Sequence, residues 1–112
     1  MLLEKAWKNG DICSIKMSSG EEIVAKITDS NDKSITIHKP LVVQISVDPQ
    51  TNRVGLQMLP GFVITGNQDA KFNIGLHNVI LITPTEDNIK NNYISNTSGL
   101  AIPSSGAGGL KL

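Results

Sequence analysis

Apolar and polar residues alternate with period two along most of the chain, the pattern of strands that bury one face. Cys13, Ile15 and Met17 alternate with Ser14 and Lys16, and Ser18-Ser19-Gly20 supplies a turn. Ile23, Ala25 and Ile27 repeat the pattern before the polar stretch Asp29-Ser30-Asn31-Asp32-Lys33. One parity then holds Ile35, Ile37, Leu41, Val43, Ile45 and Val47, broken at that spacing only by Lys39. This predicts one long strand, or two joined at a bend. Pro40 has no N–H to give a ladder and belongs at a bulge or a sheet edge. Asp48-Pro49-Gln50-Thr51-Asn52 reads as a turn, after which Val54, Leu56 and Met58 alternate again. Pro60-Gly61 punctuates, Phe62-Val63-Ile64 is a short strand candidate, and Gly66-Asn67-Gln68-Asp69 turns once more. Phe72, Ile74 and Leu76 share a parity. Val79, Ile80, Leu81 and Ile82 are apolar on both parities, which predicts burial on both faces or one face held by a partner.

Two helical patterns flank this body. Thr83-Pro84-Thr85-Glu86 reads as a helix start, with Thr83 at the N-cap, Pro84 at the first helical position and Glu86 closing a capping box. The helix is expected over 84–95, with Ile89 and Tyr93 on one face and Asn91, Asn92 and Asn96 lowering its propensity. Leu2, Leu3, Ala6 and Trp7 cluster as on a short helix over 2–8. The expected organisation is one mainly β domain over 1–98 with a hairpin excursion at 48–71. A Gly/Ser-rich flexible tail is expected over 99–112.

Composition narrows the function. With 112 residues the chain holds one domain and buries a core without staples. Ten basic and ten acidic side chains give a formal net charge of +0, which argues against a strongly basic nucleic-acid binder but permits local patches. A single cysteine, Cys13, excludes an intrachain disulfide and a multi-cysteine zinc site, and its apolar parity marks a buried packing thiol. No apolar run approaches the ~18 residues of a membrane helix, and the start lacks a secretory pattern. The expectation is a soluble, cytoplasmic protein, in the host cytoplasm if viral, with no membrane partner.

Catalytic patterns are nearly absent. His38 and His77 stand far apart, with no nucleophile elbow and no H-E-x-x-H helix. The stretch 29–32 lacks the central glycine of a calcium loop, and Pro40 occupies the position of its bidentate glutamate. Glu21 and Glu22 adjoin on a strand and point to opposite faces, which suits no acid–base pair. The glycines at 106–109 follow no strand and open no helix, so they make no phosphate cradle. The chain is expected to be no enzyme and to carry no cofactor or metal.

The order of elements resembles the Sm/LSm family, including its Hfq-like branch. The segment 12–20 with Gly20, followed by Ile23, Ala25 and Ile27, is similar to the first Sm motif. Ala25 stands where the family usually has a second glycine. Asn31 falls near the family's aspartate, and Ser34-Ile35 replaces its Met-Asn. His77 and Pro84 keep the Hfq spacing between a histidine and a proline, with Leu76 in place of the lysine. Gly75-Leu76 replaces the Arg-Gly of other members. The resemblance implies a small, strongly bent, five-stranded Sm-like barrel whose subunits join by edge strands. It further implies a homo-oligomeric ring of roughly five to seven copies.

The same resemblance implies single-stranded RNA binding on the turns gathered at the pore. The candidate residues are Asn31, Asp32 and Lys33 after the second strand, and His77 between the last two. Val79, Ile80, Leu81 and Ile82 are the candidate subunit interface. Arg53 is the sole arginine, and no aromatic residue lies in these turns. Two alternatives stay open. One is a non-catalytic structural or adaptor ring that has lost RNA binding, to which the Ile, Asn and Lys content and the Gly/Ser tail add a phage origin. The other is a monomeric barrel of another family, such as an OB or SH3-like module.

Overall fold

The computed structural model describes residues 6–98. Six strands and one helix follow in the order β1 (Ile12–Met17), β2 (Glu22–Ser30), β3 (Ser34–Val47), β4 (Val54–Leu59), β5 (Lys71–Gly75), β6 (Val79–Pro84) and α1 (Asp87–Thr97). A 3-10 turn, Leu76–Asn78, links β5 to β6. The strands form one antiparallel sheet ordered β4-β3-β2-β1-β6, with β5 also paired to β3. The domain is mainly β, as the alternation predicts. It has six strands rather than five, and the sheet is not closed.

The extra strand comes from the length of β3. Its fourteen residues run through Pro40 as one element. The first part pairs with β5 from Ser34↔Gly75 to His38↔Lys71, and the last part pairs with β4 from Val42↔Leu59 to Val47↔Val54. One strand thus serves two neighbours on the same side. Residues 60–70 loop out between them as turns and bends, so Phe62-Val63-Ile64 is not a strand. Phe62 instead packs on the core.

Pro40 sits at a bulge. Between Val24↔Leu41 and Lys26↔His38, β2 advances by two residues and β3 by three. Lys39 takes φ 53 to absorb the extra residue. The bulge turns the following side chains over. Ile35 and Ile37 enter one core cluster, while Leu41 and Val43 enter the other, although all four share a sequence parity.

The first cluster gathers Cys13, Ile15, Ile23, Ala25, Ile27, Ile35 and Ile37, all fully buried, with Met17 and Ile74 at its margin. At ~1.5–3 kcal/mol for each large aliphatic side chain taken out of water, this face dominates the stability of the domain. The second cluster, Val24, Leu41 and Tyr93, lies on the opposite face under α1. Ile12, Val43, Met58 and Ile89 flank it. Ile89 and Tyr93 therefore share the buried face of the helix, as their spacing predicts.

The helix starts three residues later than the expected 84. Pro84 still pairs with Cys13 at the end of β6, and the Thr85 amide donates to the Ile12 carbonyl at 3.2 Å. The buried Thr85 hydroxyl meets Ser14 Oγ at 2.9 Å. This ladder to β1 holds Thr83 and Pro84 in extended backbone, so Glu86 becomes the N-cap and its carboxylate accepts from the Ile89 amide at 3.2 Å. At the other end Lys39 Nζ donates to the Thr97 carbonyl at 2.9 Å. Of the helix expected at 2–8, residues 2–5 lie outside the described residues, and Ala6, Trp7 and Lys8 are not helical. The expected tail, 99–112, also lies outside the described residues.

Candidate functional site

Pairing of β3 with both β2 and β5 brings the turn at 31–33 against the 3-10 turn at Leu76–Asn78. The Leu76 amide donates to the Lys33 carbonyl at 2.8 Å, and the Ser18 amide donates to the Asn78 carbonyl at 2.8 Å. The four candidate RNA residues therefore lie on two turns braced together. Their side chains differ in availability. Asn31 Oδ1 accepts from the amides of Lys33 at 2.8 Å and Ser34 at 2.9 Å, an Asx turn that occupies the carboxamide oxygen. Asp32, Lys33 and His77 are exposed. The His77 ring folds back over Gly75, so close that a Cβ there would lie 2.6 Å from Cε1. Glycine at 75 is what lets the imidazole rest on the backbone.

The four apolar residues of β6 divide in a way that strict alternation does not allow. Lys16 pairs with Leu81 and Met17 with Val79, so Ile80 is an extra residue in a bulge. Val79 and Ile82 pack on the core, while Ile80 and Leu81 stay 62% and 52% exposed. The two-parity run thus has one face buried by its own chain and one left uncovered. Among the described residues β6 pairs only with β1, and β5 only with β3, so each offers an edge open to them.

A basic row crosses the face that α1 partly covers. Lys26 pairs with His38 and His38 with Lys71, which places three basic side chains side by side across β2, β3 and β5. His38 Nε2 meets the Asp69 carbonyl oxygen at 2.9 Å. Lys26, His38 and Lys39 line an open cleft of about 240 Å³ with Tyr93, Thr97 and Ser98. Ion pairing among the described residues is confined to exposed Lys8–Asp11 and Lys90–Asp87, so Lys26 and Lys71 carry no described counter-charge. Sequence reasoning missed this row. Its signal is the cross-strand register alone, and the bulge at Lys39 sets that register.

Tyr93 closes the gap that the bulge opens. Its hydroxyl reaches the Lys39 carbonyl at 2.8 Å and the His38 carbonyl at 3.1 Å. Burial pushes the phenol up to about 12, against a hydrogen bond from the Lys26 backbone that favours the phenolate. Cys13 is also held in its neutral form. Burial and the nearby Asp11 charge push the thiol up to about 11, which suits a packing residue and not a nucleophile at neutral pH. Among the described residues no group of three His, Cys, Asp or Glu side chains is placed to hold a metal ion. No described helix is long and apolar enough to cross a membrane.

No protein-family model matches the chain, and no curated protein is significantly similar to it in sequence.

Proposed function

We propose that this protein is an Sm-like subunit that assembles into a homo-oligomeric ring and binds single-stranded RNA at the cluster formed by turns 31–33 and 76–78. The observation that carries the reading is the path β6-β1-β2-β3-β5 with a 3-10 turn between its two end strands. This path leaves two open edges of five and six residues, separated by one short turn. Pairing of β5 in one copy with β6 in the next satisfies both edges and covers Ile80 and Leu81. Such a contact is head-to-tail, and it closes a ring when the rotation per copy divides a full turn. Lys33 and His77 are then repeated around the pore, where individually weak contacts to phosphate and base add.

One observation favours a second reading, a structural or adaptor ring without RNA. Asn31 spends its side-chain oxygen on the turn, and the two turns hold no Phe, Tyr or Trp on which a base could stack. Two measurements test the proposal. Light scattering during gel filtration is expected to give a closed oligomer. Fluorescence anisotropy with short uridine-rich and adenosine-rich oligonucleotides is expected to give micromolar binding that weakens with salt. A monomer at all concentrations ends the ring reading. A ring that gives no anisotropy change at low salt ends RNA binding and leaves the adaptor ring.

A further inference from the structure

The last third of β3 leaves the body of the sheet. Its ladder to β2 ends at Ile23↔Val42, and from there only β4 accompanies it, so the two strands form an arm. Register sorts the faces of this arm. Val43/Met58, Ile45/Leu56 and Val47/Val54 lie on one face, and Gln44/Gln57 and Ser46/Gly55 lie on the other. The first face holds no polar or charged residue. At its root Val43 and Met58 continue the core under α1. Further out Ile45 is 69%, Leu56 54%, Val47 57% and Val54 68% exposed. An isolated two-stranded ribbon is marginal in water, and a continuous aliphatic ladder along it marks a surface meant to be covered.

We propose that the same face of a second copy covers it, two arms packing apolar face to apolar face about a two-fold axis. Size decides between the available occupants. The three rungs from Val43 to Val47 span ~13 Å of strand. The other available occupant is the protein's own end, residues 99–112, which follow α1 in the chain; Thr97 at the end of α1 lines a cleft with Pro40, Leu41 and Pro60. Leu100 and Ile102 cover only ~7 Å of extended chain. After them come the seven residues Pro103-Ser104-Ser105-Gly106-Ala107-Gly108-Gly109, with little to bury, and Leu110 and Leu112 beyond them again span only ~7 Å, so neither pair fills the ladder. A second arm matches the ladder rung for rung and brings no charge onto it.

Area sets the strength. The four exposed aliphatics present roughly 400 Å² per arm, or about 800 Å² per pair, short of the ~1,200 Å² of a stable free-standing complex. One pair is therefore weak. In the ring proposed above, on which this part of the inference rests, each subunit presents an arm, and two rings join through several such contacts at once.

Sedimentation velocity of the full chain tests both layers. Wild type is expected at twice the mass of the double variant Ile45→Thr/Leu56→Thr, whose circular dichroism stays unchanged because neither side chain belongs to the subunit's own core. Val47→Thr/Val54→Thr, further from the core, is expected to give the same halving. An arm variant with the wild-type mass overturns the arm interface and leaves the ring untouched. A wild type that only dimerises, and loses the dimer in the arm variants, upholds the arm and sinks the ring. Leu100→Ser/Ile102→Ser/Leu110→Ser/Leu112→Ser is expected to change nothing. Raised binding of a hydrophobic dye at constant mass in that variant would show the chain's own end as the cover and overturn the proposal.

Discussion

Tyr93 illustrates how much one polar atom carries in a core made of aliphatics. Beside the bulge at Lys39 the phenol hydroxyl donates from the helix to the Lys39 and His38 carbonyls. Tyr93→Phe keeps the ring and strands these groups. The expected cost is about 1–3 kcal/mol, a fall of roughly 5–15 °C in melting temperature for a domain of this size, measured by calorimetry. The same residue and Cys13 set the alkaline limit. Both are neutral when protonated, and both hold their protons more tightly folded than unfolded, so stability is full below pH ~9 and falls as the pH rises toward ~12. Each contributes a loss of order 2 kcal/mol, and Cys13→Ala is expected to delay the onset of the fall to pH ~10 in urea titrations at stepped pH. Gly75→Ala separates position from stability at the candidate site. The exposed His77 ring can swing away from the new methyl, so melting should stay within ~2 °C of wild type, while the imidazole proton shifts report its displacement.

At the scale of elements, the alternation of apolar residues was enough to place β1, β2 and the core they share, because nothing interrupts their period. It misassigned faces where an extra residue enters a ladder. The parity of Ile35, Ile37, Leu41 and Val43 is continuous in sequence, yet Lys39 divides it between two cores. Ile80 does the same in β6, where only Val79 and Ile82, both half-buried, pack on the core. The helix start was misplaced for a related reason. A capping box at Thr83 is a local signal, whereas the pairing of β6 with β1 is made with residues some seventy positions away. The turns carrying Asn31, Asp32, Lys33 and His77 were legible as turns; that β3 binds them together was not. The exposure of β6 gives a direct test. Ile80→Asp is expected to leave the melting of an isolated subunit nearly unchanged and to break any assembly made through β6, as read by light scattering, since the charge lies in water in one state and in a seam in the other.

For the whole molecule, neutral net charge does not mean an even distribution. The described ion pairs engage Lys8 and Lys90, while Lys26, His38 and Lys71 form a row and Lys33 tops the turn cluster. If RNA follows the turns, Lys33→Ala/His77→Ala should abolish the anisotropy signal without altering mass or melting. Lys26→Ala/Lys71→Ala should leave the low-salt signal within about twofold and reduce the slope of affinity against salt only if the bound strand crosses that row.

The link between Ser14 and Thr85 spans 71 positions and ties the last strand and the helix to the first strand. Loop closure of that length is entropically costly before any contact rewards it, so β6 and α1 are expected to join after the β1-β2-β3 meander has formed. Substitutions in β6 should then accelerate unfolding and leave the refolding rate nearly unchanged, while Ile27→Val or Ile37→Val slows refolding. The order matters for a chain with unpaired edges. In the ring proposed above, the β6 border does not exist until the final third of the polypeptide has been made, so ring closure is expected only of finished subunits.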